Sequence, residues 1–150
     1  MRTFPRRITV AVAAAAAAVA VGALAQADAA VRYTSVVDGR AIASTSQSSI
    51  PTLVASSGST TQQWVKTSVG GGFFTLRGVS SGRCLAGSFS LPFMTTCDAA
   101  RHNQHWHRGF VSDKRLENRA SRLALTASGF RLEMRVLSGL QSQRWNELGA

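Results

Sequence analysis

Acidic residues are scarce in this chain: seven Asp and Glu stand against 17 Lys and Arg in 150 residues, a formal charge of +10. Lysine is scarcer still, with only Lys66 and Lys114, so the basic excess is nearly all arginine. The few acids are scattered, and no serine sits in a nucleophile elbow, so no catalytic set emerges and no cofactor is implied. The three histidines, His102, His105 and His107, surround Trp106 with Asp98 as the one nearby acid. That falls short of a ligand set for zinc, and no metal site is read here. On a strand, His105 and His107 share one face and Trp106 takes the other, which predicts solvent-facing imidazoles. Only two cysteines are present, and no apolar run beyond the N-terminal one is long enough to span a bilayer. No sustained helical stripe follows that run either.

The N-terminal run has the three parts of a secretory signal peptide. Arg2, Arg6 and Arg7 form a positive start, an Ala/Val stretch covers 8–25, and small residues follow at Ala25-Gln26-Ala27 or Ala27-Asp28-Ala29. A membrane anchor is the rival, but the stretch is mostly alanine and ends in an Ala-x-Ala site. The expectation is a signal peptide over 1–27, cleaved somewhere in 27–30, and one extracellular domain over 31–150. Cleavage after Ala27 removes three arginines and leaves 123 residues of net charge +7. Export also places Cys84 and Cys97 in an oxidising compartment, where a disulfide is the default state.

What the chain does have is repetition. Its only three tryptophans all end a Gln-x-Trp: Gln62-Gln63-Trp64, Gln104-His105-Trp106 and Gln143-Arg144-Trp145. The tryptophans are spaced by 42 and 39 residues, and such a period marks one structural unit repeated. Asp38-Gly39-Arg40-Ala41-Ile42, Ser81-Gly82-Arg83-Cys84-Leu85 and Ser121-Arg122-Leu123-Ala124-Leu125 then fall into register. In that register Cys84 lies opposite Ala41 and Ala124, and Cys97 opposite Ala55 and Val136. Paired small or apolar residues at both places predict two strands meeting inside a packed core. Between the motifs, 131–136 alternates charged and apolar residues with period two, and Phe73-Phe74-Thr75-Leu76 follows three turn-forming glycines, so both read as strands. About four short strands per unit make a closed three-fold all-β structure; a propeller of this period needs about four blades.

Phe74-Thr75-Leu76, Ser81-Gly82-Arg83-Cys84-Leu85, Cys97 and Asn103-Gln104-His105-Trp106 together resemble one unit of a ricin B-chain-type lectin domain. The resemblance extends through all three Gln-x-Trp motifs and is clearest in unit two. It implies a β-trefoil, a six-stranded barrel capped by three hairpins, with Trp64, Trp106 and Trp145 in the shared core. It also implies carbohydrate binding in up to three shallow pockets. In that family a working pocket has an Asp after the Leu of Gly-x-Cys-Leu, an aromatic ring, and an Asn before the Gln. Here the Asp positions hold Ala43, Ala86 and Thr126, the ring position of unit two holds Thr95, and only unit two keeps its Asn, at Asn103. Without the carboxylate and ring a galactose site loses its strongest contacts.

Unit two is therefore the expected place for a remaining carbohydrate site, with Asn103, Gln104 and Phe93 as its residues. The opposing reading has Asn103 and Gln104 only satisfying main-chain groups. The arginines, among them Arg40, Arg83 and Arg122 at matching turns, fit an extended or acidic polysaccharide. Nucleic acid is excluded as a partner by export and the lack of a binding motif, and a membrane by the lack of a second apolar span. A monomer is expected in either case; a second function class is an inhibitor-like protein binder presenting the loop Ser88-Phe89-Ser90-Leu91-Pro92-Phe93 to a secreted hydrolase. Core packing of Phe89, Leu91 and Phe93 is the competing account of that loop.

Overall fold

Three indoles cannot be buried in a small β domain unless several strands surround them, and the chain supplies four strands per repeat. The computed structural model describes residues 28–109 and 112–150; the signal-peptide reading of 1–27 lies outside the described residues. Unit one comprises β1 (Ala30–Ser35), β2 (Ala41–Ala43), β3 (Thr52–Val54) and β4 (Trp64–Gly70). Unit two comprises β5 (Phe73–Gly78), β6 (Cys84–Gly87), β7 (Pro92–Thr95) and β8 (Trp106–Arg108). Unit three comprises β9 (Leu116–Asn118), β10 (Ala124–Ser128), β11 (Arg131–Arg135) and β12 (Trp145–Gly149). A three-residue 3-10 turn ends on each motif glutamine, at Thr60–Gln62, His102–Gln104 and Gln141–Gln143.

All the pairings are antiparallel. β1 joins β12 from Val31↔Gly149 to Ser35↔Trp145 and joins β4 at Val31↔Trp64. β4 pairs β5, β5 pairs β8 and β8 pairs β9. An Arg115↔Arg144 bridge and a Trp145 N–H donated to Lys114 O at 2.8 Å carry the ring from β9 back to β12. This is the six-stranded barrel. The remaining strands form three hairpins, β2–β3, β6–β7 and β10–β11, that close one end. The hairpins are laced in a cycle. Leu53 N–H donates to Phe130 O (3.4 Å), Met94 N–H to Ser49 O (2.6 Å) and Met134 N–H to Ser90 O (2.9 Å). The architecture is a β-trefoil.

The core is built in threes. Tyr33, Leu76 and Leu116 form one set, Ile42, Leu85 and Leu125 a second, and Leu53, Met94 and Met134 a third; all are buried around Trp64, Trp106 and Trp145. Each tryptophan is 0 % exposed, and each indole N–H has an acceptor, as a buried donor must. Trp64 Nε1 donates to Ile42 O (3.1 Å), Trp106 Nε1 to Leu85 O (2.8 Å) and Trp145 Nε1 to Leu125 O (3.0 Å). The middle residue of each motif links the units, because Gln63 O accepts from Val79 N–H, His105 O from Arg119 N–H and Arg144 O from Val36 N–H. Turn geometry repeats too: Gly39 (φ 72°) and Gly82 (φ 67°) occupy the left-handed region, and Arg122 (φ 60°) occupies the same place in unit three. Arginine pays a steric cost there that glycine does not.

At the open end of the barrel one carboxylate ties four strands. Glu147 on β12 accepts from Tyr33 Oη on β1 (2.9 Å), Lys66 Nζ on β4 (3.1 Å) and Arg108 Nη1 on β8 (3.0 Å). Burial alone would raise the Glu147 carboxyl, but the bonds from Lys66, Tyr33 and Arg108 outweigh it and hold the group below its ordinary 4.5. Burial first, then the Glu147 charge, pushes the Tyr33 phenol far above its ordinary range.

Cys84 and Cys97 are bridged, with their Cα atoms 4.9 Å apart. The bridge does not lie inside the core as expected. Cys84, Ala41 and Ala124 are buried, but Cys97, Ala55 and Val136 are exposed. Each pair therefore joins the core to the surface rather than lying inside the core, because the second member falls just beyond the hairpin strand, where the chain turns outward.

The bridge closes a loop of sequence separation 13, so oxidised protein should exceed reduced protein in stability by about 2–3 kcal/mol in denaturant titrations. The depressed Glu147 carboxyl stabilises the fold above pH 4.5, and that contribution disappears as pH falls through its folded-state value. Glu147→Gln should flatten the stability–pH profile below pH 4.5 in thermal melts; an unchanged acid limb contradicts this assignment.

Candidate functional site

A side chain can serve a ligand only if the fold has not already consumed its polar atoms. The motif glutamines are consumed. Gln104 Nε2 donates to Thr96 O (2.9 Å) and its Oε1 accepts from Asp98 N–H (2.9 Å). Gln62 makes the same pair with Ala55 O (2.8 Å) and Ser57 N–H (2.9 Å), and Gln143 with Val136 O (2.8 Å) and Ser138 N–H (2.9 Å). In each unit the amide pins the segment that leaves the third strand.

The three residues expected to form a site do meet. Phe93, Asn103 and Gln104 line one open cleft of about 690 Å³ in unit two, together with Thr95, Asp98 and Arg101. Phe93 is half-buried on β7. Asn103 stands at the middle of its 3-10 turn, and its main-chain oxygen accepts from Asn118 Nδ2 at 2.8 Å. Its side-chain Oδ1 is shielded and has no hydrogen-bond partner among the described residues. The fold thus consumes both polar ends of the Gln104 amide but leaves the shielded Asn103 Oδ1 unpaired. Asp98, weighed from sequence only as a metal ligand, is the cleft's carboxylate, bonded to Arg101 Nε at 3.3 Å and to Ala100 N–H at 2.9 Å.

Units one and three have clefts at corresponding places, about 600 Å³ and 710 Å³. The lost carboxylate positions are filled: Ala43, Ala86 and Thr126 are all buried, and Thr126 Oγ1 donates to Ala124 O. Each cleft nevertheless has an arginine paired with an acid close by. Arg40 pairs with Asp38 at 3.4 Å in unit one, and Arg135 Nε with Glu133 at 2.6 Å in unit three. Each also has a phenylalanine, and in two units it comes from the neighbouring hairpin. Phe89, on the unit-two hairpin, lines the unit-three cleft, and Phe130, on the unit-three hairpin, lines the unit-one cleft. The Arg40 guanidinium sits 3.9 Å over the Phe130 ring.

Phe89 was read from the sequence as part of a presented loop and not as a cleft ring, and Phe130 was not singled out, although a phenylalanine inside a Ser/Gly turn cluster is a signal of an exposed ring. Their destination depends on how the hairpins pack. The packing goes against the core account of the 88–93 loop for two of its three residues: Phe89 is 85 % and Leu91 50 % exposed, while Phe93 is half-buried. The histidines do not all face solvent as their strand pattern predicts. His105 is buried, its Nε2 donating to Ala99 O (2.9 Å) and its Nδ1 accepting from Arg119 Nη1 (3.2 Å). It braces the 98–101 wall of the unit-two cleft. His102 is exposed and His107 lies against Phe73. Among the described residues no three of His, Cys, Asp and Glu converge to hold a metal ion.

No protein-family model matches the chain, and no curated protein matches it in sequence. Solved structures do match in shape. ThreeFoil, a designed three-fold symmetric protein, superposes with a TM-score of 0.72 at 22 % identity, covering 81 % of this chain and 99 % of its own. SeviL, solved bound to asialo-GM1 saccharide, gives 0.69 at 16 %, covering 81 % and 98 %. An exo-β-1,3-galactanase from Clostridium thermocellum gives 0.71 at 19 %; the match covers 81 % of this chain and 30 % of the enzyme. At these identities the likeness establishes the trefoil fold.

Gln104→Ala should cost about 1–3 kcal/mol, since it strands Thr96 O and Asp98 N–H. Asn103→Ala should stay within about 0.5 kcal/mol of the parent. Equal costs in urea titration would contradict this division of roles.

Proposed function

We propose that the protein is a secreted, non-catalytic carbohydrate-binding module of the ricin B type, directed at extended or acidic polysaccharide rather than galactose alone. The observation that carries this reading is the repeated cleft: three open depressions, each with one phenylalanine and an arginine whose carboxylate partner lies in the cleft or, for Glu133, beside it. A ring can cover the apolar C–H face of a sugar. Carboxylate and guanidinium groups make charge-assisted bonds to hydroxyls or to an acidic substituent. Each cleft is shallow, so single-site affinity is low, and three clefts on one body favour a polymer that engages more than one. SeviL, a neighbour in fold, was solved with a saccharide, which supports the same reading. The N-terminal sequence pattern supports export.

A second reading has its own observation. The tip Phe89–Leu91 is exposed and braced by the Ser88 hydroxyl, which donates to Leu91 O at 2.7 Å. A pre-organised apolar loop of this kind suits insertion into a protein partner such as a secreted hydrolase.

Binding to neutral and acidic glycans at low and raised salt separates the possibilities. The expected result is polysaccharide binding that falls roughly tenfold on Asn103→Ala or Phe93→Ala. Salt-sensitive binding to acidic glycans alone assigns the affinity to exposed arginines. Silence across the panel overturns the carbohydrate reading and leaves the loop reading.

A further inference from the structure

The pseudo-three-fold axis leaves the molecule between the hairpin tips, and what lies there is apolar. Ile50, Pro51 and Thr52 from unit one, Leu91 from unit two, and Phe130, Arg131 and Leu132 from unit three line a groove of about 490 Å³. Ile50 is 56 %, Leu91 50 % and Phe130 73 % exposed. Exposed apolar side chains are ordinary when scattered; here all three hairpins contribute one to the same concave place. The groove is distinct from the three clefts and shares only the Phe130 ring with the unit-one cleft.

Two features define what fits it. The tip carbonyls of Ser49, Ser90 and Phe130 already accept the N–H groups of Met94, Met134 and Leu53 that lace the hairpins together. Apart from the Thr52 hydroxyl and Arg131, the side chains that line the groove offer hydrocarbon. Its one charged residue is Arg131, which is exposed and forms no ion pair among the described residues. The arginines at the cleft rims, by contrast, each have a carboxylate. A guanidinium at the edge of a hydrocarbon groove matches a ligand with an apolar body and a single anionic head. Charge complementarity thus selects the occupant.

We propose that this axial groove binds a small soluble amphiphile, an alkyl or aryl carboxylate, with its apolar part against Ile50, Leu91, Phe130 and Leu132 and its carboxylate on Arg131. The site does not depend on carbohydrate recognition. It is open, so affinity is modest, and hydrocarbon length and head charge contribute separately.

Methyl-resolved NMR titration of the intact chain with monomeric decanoate, and in parallel with decanol, tests this. Saturable shifts are expected at the Ile50, Leu91 and Leu132 methyls. Arg131→Gln should weaken decanoate roughly tenfold and leave decanol unchanged, while Leu91→Ser should weaken both. Both positions are exposed, so the variants fold. No saturable shift overturns the proposal, as does decanoate affinity indifferent to Arg131→Gln. Equal shifts at the exposed Val36, Val37 and Leu148 reveal unspecific adsorption and overturn it too. Shifts appearing only with anionic phospholipid vesicles assign the surface to a membrane instead.

Discussion

Three indole N–H groups inside an apolar core must find acceptors, and each takes the main-chain carbonyl of the hairpin residue 20 to 22 positions earlier, Ile42, Leu85 or Leu125. A donor left without a partner at zero exposure would cost about as much as a lost hydrogen bond. The barrel strand carrying each tryptophan is therefore tied to the hairpin of its own unit. The other two residues of each motif complete the connection. The glutamine amide pins the segment leaving the third strand, and the middle carbonyl accepts from the following unit. One tripeptide thus links strand, loop and neighbour, three times over.

That concentration of structural duty leaves the rest of the surface free to differ among the units. The hairpin tips carry Ile50, Phe89 with Leu91, and Phe130, and the cleft rims carry three different arginine–acid pairs. The strand positions facing the core, in contrast, hold Ile, Leu and Met in near-equivalent triples, with Tyr33 the one exception. Symmetry is retained where packing demands it and relaxed where solvent begins. The same contrast explains why the motif residues offer little to a ligand: an amide with both ends spent on the chain cannot also orient a sugar hydroxyl.

The repeat register was legible because buried positions constrain residue type. The tryptophan spacing, the Gly39/Gly82/Arg122 turn and the Ile42/Leu85/Leu125 set all stand in the structure where the alignment put them. What failed was inference about which way single side chains face near strand ends. His105 was expected outward on a strand, but β8 begins only at Trp106, and the preceding extended residue turns its ring under the 98–101 segment. Cys97, Ala55 and Val136 were assigned to the core on apolar character alone, and lie at the surface. The unit-two cleft was legible through the family resemblance, because only that unit keeps the Asn before its Gln-x-Trp, at Asn103, with Phe93 near the ring position. The rings of the other two clefts come from adjacent hairpins, a contact that no single repeat encodes.

The central claim is that the Gln-x-Trp residues hold the trefoil together and do not themselves form a binding surface. Equilibrium unfolding of Trp106→Ala in denaturant tests it most directly. The account predicts a loss of about 3–5 kcal/mol, since a fully buried indole and its bond to Leu85 O are removed together. A variant as stable as the parent would contradict it and place the tryptophan in a functional rather than a structural role.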